Sequence, residues 1–240
     1  MAARCGLFAL ILFWSLRLGQ DIDGPQLIVW NVGQGQWSTF VDQGICWHID
    51  AGGEHAPWKS IRQTCGDKQN RFSFSHWDWD HVSFAARALK NLSHSCLSLA
   101  PQGKSSRRKM ALMEKMSPCP SRPPFQSWQD RRARNSNDLS RIFLWRQVLL
   151  PGDSSKKEER LWLESFAGLS RVHWLLLGHH GSRTSTSEQL LYRLPALRGA
   201  IASARWQKYG HPHAEVRAAL LRHRIPLLST EEWGSLHIDL

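Results

Sequence analysis

The sequence predicts an α/β fold in which strands and helices form a layered sandwich. Short apolar runs of strand length alternate with helical segments through residues 26–240. Asp or His also follows several of the predicted strands, and the carboxyl ends of strands collect at one edge of a sandwich. These side chains are therefore expected to share one site. They are Asp50, the acidic and histidine residues of segment 76–81, Asp153, and the pair His179 and His180.

Length and composition indicate a folded globular protein. The 240 residues suffice for one large domain or two small ones. Apolar residues make up 42% of the chain and charged residues 21%, as in ordinary globular domains. The net charge of +11 favours a polyanionic partner such as nucleic acid, or an anionic membrane surface. Charge alone does not choose between these partners.

Residues 1–25 are expected to form a signal-like or anchor-like segment followed by a linker. The apolar run 5–16 lies between Arg4 and Arg17 and is too short to span a bilayer. It fits the hydrophobic region of a signal peptide, although no A-x-A cleavage site follows, or the tail of a transmembrane helix. A buried N-terminal helix is the alternative. The segment favours an extracytoplasmic (periplasmic) or membrane-associated location and leaves a cytoplasmic one open.

Five cysteines are present and no pair has C-x-x-C spacing. The odd number and the wide spacing favour mostly free thiols, with one or two disulfides as the alternative. Cysteine usage therefore does not decide the redox compartment.

The first half of the chain is rich in strands. We predict strands at 27–32, 37–41 and 45–49 and a helix at 57–64. Asp50 follows the third strand, and the glycines after it allow another part of the backbone to approach closely.

A strand containing Phe72 and Phe74 leads into the most informative segment of the sequence. Imidazole nitrogens and carboxylate oxygens are the usual ligands of catalytic Zn, Mn or Fe. The alternative is a polar turn that caps a helix over 82–92. Two tryptophans inside the segment argue against an ordinary turn, which favours Gly, Pro, Asn and Ser. Four potential metal ligands lie within six residues, at His76, Asp78, Asp80 and His81.

Residues 101–141 have a different composition. Ten Lys or Arg stand against three acids, and the prolines at 118, 120, 123 and 124 interrupt regular structure. The segment is predicted to be a long, partly mobile basic insertion rather than a separate domain. It is either a phosphate-binding arm or a solvated loop.

Regular structure resumes after the insertion. Carboxylate and histidine groups again follow strands, at Asp153 and at His179 with His180. The predicted strands are 142–145, 147–150, 172–177, 200–203, 226–228 and 236–238, with helices at 156–169 and 215–223.

The order of these motifs resembles the metallo-β-lactamase superfamily. Within it, the resemblance is to the hydrolase-like C-terminal domain of the ComEC competence proteins, which take up transforming DNA. The resemblance implies an αββα sandwich over residues 26–240 with two divalent metal ions at its edge, Zn or Mn, and no organic cofactor. The matching segments are 31–36, 49–52, 75–81, 150–153, 178–182 and 209–212.

The resemblance also implies which residues hold the metals. His76 and Asp78 would bind one ion and Asp80 and His81 the other, with Asp153 between the two. The second set would be completed by His180, while Asp50 and His179 would support the ligands from behind.

The chain departs from the superfamily pattern in three places, one of which is segment 82–85, where the superfamily commonly has a pair of glycines. Asp78 stands where the superfamily usually has a histidine. No histidine between His81 and Asp153 matches the third histidine of the first metal, because His94 lies in an unrelated context. The resemblance therefore leaves the first metal site incomplete.

The implied function is a metal-dependent phosphodiesterase or nuclease that acts on DNA, in single-stranded form, during uptake. Asp80 would orient the attacking water and His211 would donate a proton or hydrogen bond to the phosphate, unless His211 only begins the next helix. Arg131, Arg132 and Arg134 of the basic insertion would bind phosphates. The alternatives are a small-molecule hydrolase and a catalytically degenerate DNA-binding relic without the membrane channel.

Overall fold

The computed structural model describes residues 24–240, which form four layers. Two six-stranded sheets face each other, and helices cover their outer faces. The strands are β1 (Gln26–Val29), β2 (Ser38–Asp42), β3 (Ile45–Ile49), β4 (Gln69–Ser73), β5 (Ser95–Leu99), β6 (Gln126–Trp128), β7 (Ile142–Trp145), β8 (Val148–Leu150), β9 (Trp174–Leu176), β10 (Gly199–Ala202), β11 (Leu227–Ser229) and β12 (Leu236–Asp239). The helices are α1 (Trp58–Cys65), α2 (Trp79–Val82), α3 (Ala85–Asn91), α4 (Arg107–Glu114), α5 (Lys156–Trp162), α6 (Glu188–Tyr192), α7 (Trp206–Tyr209), α8 (Ala214–Arg222) and α9 (Thr230–Trp233).

The two sheets have matching arrangements. The first has the strand order β12-β1-β2-β3-β4-β5, and the second has the order β11-β10-β9-β8-β7-β6. In the first sheet β3, β4 and β5 are parallel, and in the second β8, β9, β10 and β11 are parallel. The remaining pairs are antiparallel. The αββα sandwich expected from the sequence is therefore confirmed.

Alternation along the strands explains the layers. In β1, Leu27 and Val29 pack between the sheets, whereas Ile28 packs towards the helices of the first sheet. In β7, Phe143 lies between the sheets while Ile142 packs towards the helices of the second. Successive strand residues point to opposite faces, so a strand buried on both faces is apolar throughout.

Several predicted elements have different bounds in the structure. The helix predicted over 82–92 corresponds to α3, and a separate short helix, α2, precedes it. The helix predicted over 156–169 ends at Trp162, with a separate 3₁₀ turn at Leu169–Arg171. Strands β5 and β6 and helices α4, α6, α7 and α9 were not predicted. Their sequences are short and partly exposed, so hydrophobic periodicity gives little signal.

The basic segment 101–141 contains regular structure. It includes α4 and β6, and β6 forms the edge of the second sheet against β7. A bridge between Leu97 and Pro118 joins the segment to the middle of β5. The segment is therefore attached to the domain at several points.

The preference for mostly free thiols was wrong. Within residues 24–240, Cys46 is bonded to Cys65 and Cys96 to Cys119. The first disulfide joins β3 to the end of α1, and the second joins β5 to the basic segment. Wide sequence spacing says little about distance once strands and helices have packed, and the Cα atoms of these pairs lie 6.0 and 5.0 Å apart.

The segment 1–25 falls almost entirely outside the described residues, which begin at 24. Its expected signal-like or anchor-like role stays a prediction. Among the helices of residues 24–240, none has the length and apolar content needed to cross a membrane.

Candidate metal centre

The side chains predicted to share a site meet at one edge of the sandwich. Asp50 follows β3, the 76–81 segment follows β4, Asp153 follows β8, and His179 and His180 follow β9. The strands β3 and β4 run parallel in one sheet, as do β8 and β9 in the other. Parallel strands present their carboxyl ends at the same edge, and that edge of an α/β sheet is a common place for ligand sites.

The 76–81 segment is held against the loop that follows β3. A Cβ atom added to Gly52 would lie 2.4 Å from the carbonyl carbon of Asp80, so this position requires glycine. The backbone N–H of Ala51 donates a hydrogen bond of 2.8 Å to the carbonyl of His81. Asp78 occupies the N-cap position of α2 but makes no side-chain capping bond. Its carboxylate is therefore free for the site, and the capping alternative does not describe it.

Asp153 lies at the centre of the site, and its two oxygens face different histidines. Oδ2 is 3.6 Å from Nε2 of His76 and 3.7 Å from Nε2 of His179. Oδ1 is 3.1 Å from Nε2 of His81 and 3.9 Å from Nε2 of His180. The carboxylate therefore divides the cluster into two halves, each containing two imidazoles.

Each half also contains a second carboxylate. Oδ2 of Asp78 lies 3.5 Å from Nε2 of His76, on the side of Asp153 Oδ2. Oδ2 of Asp80 lies 3.1 Å from Nε2 of His180, on the side of Asp153 Oδ1. The side chains predicted as ligands are thus brought together.

Hydrogen bonds behind the imidazoles orient them. Asp50 Oδ2 lies 2.8 Å from Nδ1 of His81, and the Ser75 hydroxyl donates to the same carboxylate oxygen at 2.7 Å. Nδ1 of His76 lies 2.9 Å from that hydroxyl. Nδ1 of His180 donates to the carbonyl of Ser203 at 3.0 Å. In all three rings Nδ1 is engaged, so Nε2 is directed to the centre, as in metal-ligating histidines.

The donor set fits divalent metal ions. Nε2 of His76 and Nε2 of His81 are buried and make no hydrogen bond with proper geometry. A buried polar atom without a partner is costly, and a metal ion would satisfy both atoms. Imidazole and carboxylate ligands suit Zn²⁺ and Mn²⁺. Close groupings of potential ligand atoms occur at His76, His81 and Asp153 and at Asp80, His81 and His180.

The electrostatics of the cluster also favour a cation at this point. Burial raises the pKa of Asp153, but the nearby imidazoles, His81 foremost, outweigh it and hold that pKa well below its ordinary value. Burial lowers the pKa of His81, but the charges of Asp153 and Asp50 raise it well above its ordinary value. The carboxylates therefore stabilise positive charge between them. That charge is either a protonated imidazole or a metal ion that replaces the imidazole proton.

His179 lies closer to the cluster than the sequence interpretation placed it. His179 and His180 both have left-handed backbone conformations, with φ of 46° and 54°. Such conformations are costly for residues other than glycine and concentrate at functional sites. The consecutive left-handed residues bring both rings to Asp153, one on each side. The supporting role expected of His179 stays a prediction.

His211 and the basic residues lie around the cluster. Nε2 of Gln34 is 3.3 Å from Nδ1 of His211, whose ring centre is 6.3 Å from that of His179. His211 is thus beside the cluster and not within it. The side chains of Arg131, Arg132 and Arg134 are exposed, while Asn137 of the same segment contacts the His179 ring at 3.4 Å.

Sequence reasoning missed several supporting residues. Ser75 and Ser140 contact His76, and the carbonyl of Ser203 contacts His180. Serines are common in loops, and a backbone carbonyl leaves no mark in the sequence. Only the position of Ser75 directly before His76 offered a signal.

Comparisons with known proteins agree with the fold. The metallo-β-lactamase fold protein YhfI from Bacillus subtilis superposes with a TM-score of 0.59 at 11% identity, over 90% of this chain and 100% of that one. A diphosphatase of the PhnP family superposes with a TM-score of 0.53 at 10% identity, over 90% and 98% of the two chains. At such identities the likeness concerns the fold alone.

Sequence relatives carry names from recombination and competence. Recombination protein 2 of Haemophilus influenzae is 26% identical over 98% of this chain and 32% of its own length. ComE operon protein 3 of B. subtilis is 31% identical over 42% of this chain and 14% of its own length. Competence protein ComA of Neisseria gonorrhoeae is 32% identical over 39% and 14%, respectively.

The chain spans about a third or less of the length of these relatives. A search against protein-family models gave no match. The resemblance expected from the motifs is confirmed: the chain has the metallo-β-lactamase fold and is similar in sequence to bacterial recombination and competence proteins.

Proposed function

We propose that the protein is a metal-dependent phosphodiesterase that cleaves DNA. The observation that carries the proposal is the division of the cluster by Asp153, whose two oxygens face separate pairs of imidazoles. The net charge of +11 and the names of the sequence relatives favour DNA as the substrate. A diphosphatase with the same fold is a precedent for phosphoryl chemistry.

The proposed ligand set follows the two halves of the cluster. His76, Asp78 and Oδ2 of Asp153 would hold one ion, and His179 would complete this set in place of the histidine that the sequence lacks. Asp80, His81, His180 and Oδ1 of Asp153 would hold the other ion. Two divalent ions, Zn²⁺ or Mn²⁺, would supply water activation and stabilise charge at phosphorus.

The chain's own groups would position the substrate and move its protons. Asp80 lies at the solvent-accessible side of the cluster, where its second carboxylate oxygen can orient the attacking water. Nδ1 of His211 accepts a hydrogen bond from the Gln34 side-chain amide in the neutral ring, so Nε2 carries the proton. That N–H can donate to a phosphate oxygen beside the cluster.

We also propose an extracytoplasmic location. Two disulfides within residues 24–240 are typical of oxidising compartments. Proteins named for competence are among the sequence relatives, which fits a role in DNA uptake.

The test combines metal analysis with a cleavage assay. The wild-type protein should take up Mn²⁺ or Zn²⁺ and cleave single-stranded DNA, whereas Asp153→Asn should lose both properties. Asp67→Asn makes the same chemical change at an exposed position away from the cluster and should retain both. If wild type and Asp153→Asn cleave DNA equally with each metal, the activity comes from a contaminant. The protein would then be a non-catalytic relic.

A further inference from the structure

An open cleft of about 440 Å³ lies directly beside the proposed metal centre. Asp80, His179 and His180 belong to both, so a phosphate held at the centre would lie at the mouth of the cleft. A volume of this size suits a small organic group. The remaining lining residues are Gln34, Gly53, Glu54, Trp79, Ser83 and Tyr209.

Two aromatic side chains of the cleft are exposed to solvent. Trp79 is 41% exposed and Tyr209 is 44% exposed, whereas Trp30, Trp37 and Trp162 are fully buried. The backbone fixes Trp79 at the start of α2, next to Asp80. A large aromatic surface held open beside a polar centre provides a platform for a planar ligand.

Positive charge lies against these aromatic rings. The Arg108 guanidinium is 5.3 Å from the centre of the Trp79 ring, and Nζ of Lys109 is 5.2 Å from it. Nζ of Lys208 lies 4.9 Å from the Tyr209 ring. Glu54, the acid in the cleft wall other than Asp80, is paired with Arg205 and Lys208 at 3.0 and 2.6 Å. The cleft therefore offers aromatic faces next to cations, with its Glu54 charge compensated.

We propose that this cleft binds an unpaired nucleobase of the DNA strand whose phosphate lies at the metal centre. Stacking on an aromatic side chain is the usual way in which proteins bind single-stranded nucleic acid without regard to sequence. Arg108 and Lys109, which lie over the Trp79 ring and are not paired with Glu54, would contact the flanking phosphates. A base within a duplex is stacked and paired, so the cleft would favour single strands. This inference rests on the proposed function and adds a binding site for the base next to the cleaved phosphate.

The chain offers matched controls for both aromatic residues. Tyr192 and Tyr209 are its two tyrosines, and Tyr192 is exposed at the end of α6 and does not line the cleft. Trp233 is an exposed tryptophan at the end of α9 and does not line the cleft. Trp79→Ala is therefore compared with Trp233→Ala, and Tyr209→Ala with Tyr192→Ala.

The experiment compares two diesters with the same p-nitrophenol leaving group, thymidine 5′-(p-nitrophenyl phosphate) and methyl p-nitrophenyl phosphate. The ratio of their kcat/KM values isolates the contribution of the nucleoside. We expect Trp79→Ala and Tyr209→Ala to lower this ratio about tenfold, the loss associated with one stacked base. Trp79→Phe should restore most of it, and the two control variants should match wild type. Ratios equal to wild type in both cleft variants would overturn the inference.

Equilibrium binding separates this inference from the proposed chemistry. If wild type hydrolyses neither ester above the Asp153→Asn background, the proposed phosphodiesterase activity fails, and the cleft is then tested with a fluorescent oligothymidine. Weaker binding by Trp79→Ala than by Trp233→Ala, together with a preference for single strands over duplex, supports the cleft. Equal binding by these two variants overturns it.

Discussion

The carboxylate of Asp50 lies 2.8 Å from Nδ1 of His81, and both side chains are buried. The other carboxylate oxygen accepts the backbone N–H of Ser75 at 2.7 Å. Asp50 therefore fixes both the loop before His76 and the ring of His81. Because the ring is held through Nδ1, its Nε2 must face Asp153. Through His81, this contact links the end of β3 in the first sheet to Asp153, which follows β8 in the second sheet.

Replacing Asp50 tests this connection. Asp50→Asn should lower metal affinity about 10- to 100-fold, because an amide cannot accept hydrogen bonds from both Ser75 and His81 at the same two atoms. Asn tolerates the left-handed backbone of this position, where φ is 59°. Metal competition titration measures the effect, and Asp67→Asn is the control. Wild-type affinity in Asp50→Asn would mean that the contact does not orient a ligand.

The assignment of His179 as a ligand is tested by metal stoichiometry. His179→Asn and His180→Asn should each retain one tightly bound Mn²⁺ where wild type binds two, because each ring lies on a different side of Asp153. Asn again suits the left-handed backbone at both positions. Electron paramagnetic resonance should change from a coupled to an isolated Mn²⁺ signal. His173→Asn, outside the cluster, should bind as wild type does.

If His179→Asn still binds two ions with unchanged affinity, His179 is not a ligand and has only the supporting role expected from the sequence. If the wild-type protein binds only one ion or none, the proposal of a two-ion centre is contradicted. Thermal unfolding of each variant shows whether the fold has been retained.

Asp80 should affect catalysis more than folding. Asp80→Asn should lower the cleavage rate about 10²- to 10⁴-fold, the usual contribution of a positioned acid, base or ligand. The amide has the shape of the carboxylate but lacks the charge that faces His180 at 3.1 Å. His211→Ala should cost less and leave metal content unchanged, because His211 lies beside the cluster. An Asp80→Asn rate equal to that of wild type would exclude Asp80 from the reaction.

The basic segment is tested by the salt dependence of DNA binding. Replacing Arg131, Arg132 and Arg134 with Ala should reduce the slope of log affinity against log salt by about one unit per lost phosphate contact. A matched control replaces three exposed arginines that precede the parallel strands β9, β10 and β11 at the opposite edge, Arg171, Arg198 and Arg224. Equal slopes in the two triple variants would make the segment an ordinary solvated surface.

His48 should make stability depend on pH. Burial lowers its pKa to about 4, although the Asn70 side chain opposes the shift. Its Nδ1 lies 3.1 Å from the Trp37 indole nitrogen, which donates to it, and its Nε2 lies 2.9 Å from Asn70 Oδ1. The ring is therefore neutral in the folded protein and takes up a proton more readily when unfolded.

The sign of the effect follows from the lowered pKa. The contribution of His48 is complete above its ordinary pKa of about 6.5 and is lost as pH falls towards 4, for a total of about 3 kcal/mol. Denaturant unfolding of wild type and His48→Gln between pH 7.5 and pH 4.5 measures it. The difference in unfolding free energy between the two proteins should shrink as pH falls. A constant difference would contradict the buried neutral state.

The sequence by itself determined the fold class and the main members of the site. Apolar strands alternating with helices, and acids or histidines after those strands, predicted an α/β fold with a shared polar edge, and the resemblance of these motifs to the metallo-β-lactamase superfamily implied the αββα sandwich. The reason is local: strand periodicity and residues such as Asp50 and Asp153 at strand ends can be recognised without knowing distant contacts. The segment from His76 to His81 was recognisable for the same reason, since four potential ligands lie within six residues.

Only the tertiary structure decided how these groups are divided and supported. The two oxygens of Asp153 separate His76 and His179 from His81 and His180, and that division depends on backbone angles and on both sheets. The disulfides, the edge strand β6 and the cleft at Trp79 likewise join parts of the chain that are distant in sequence. Hydrophobic periodicity reports which face of an element is buried. It does not report which other element covers that face, so these relationships required the packed fold.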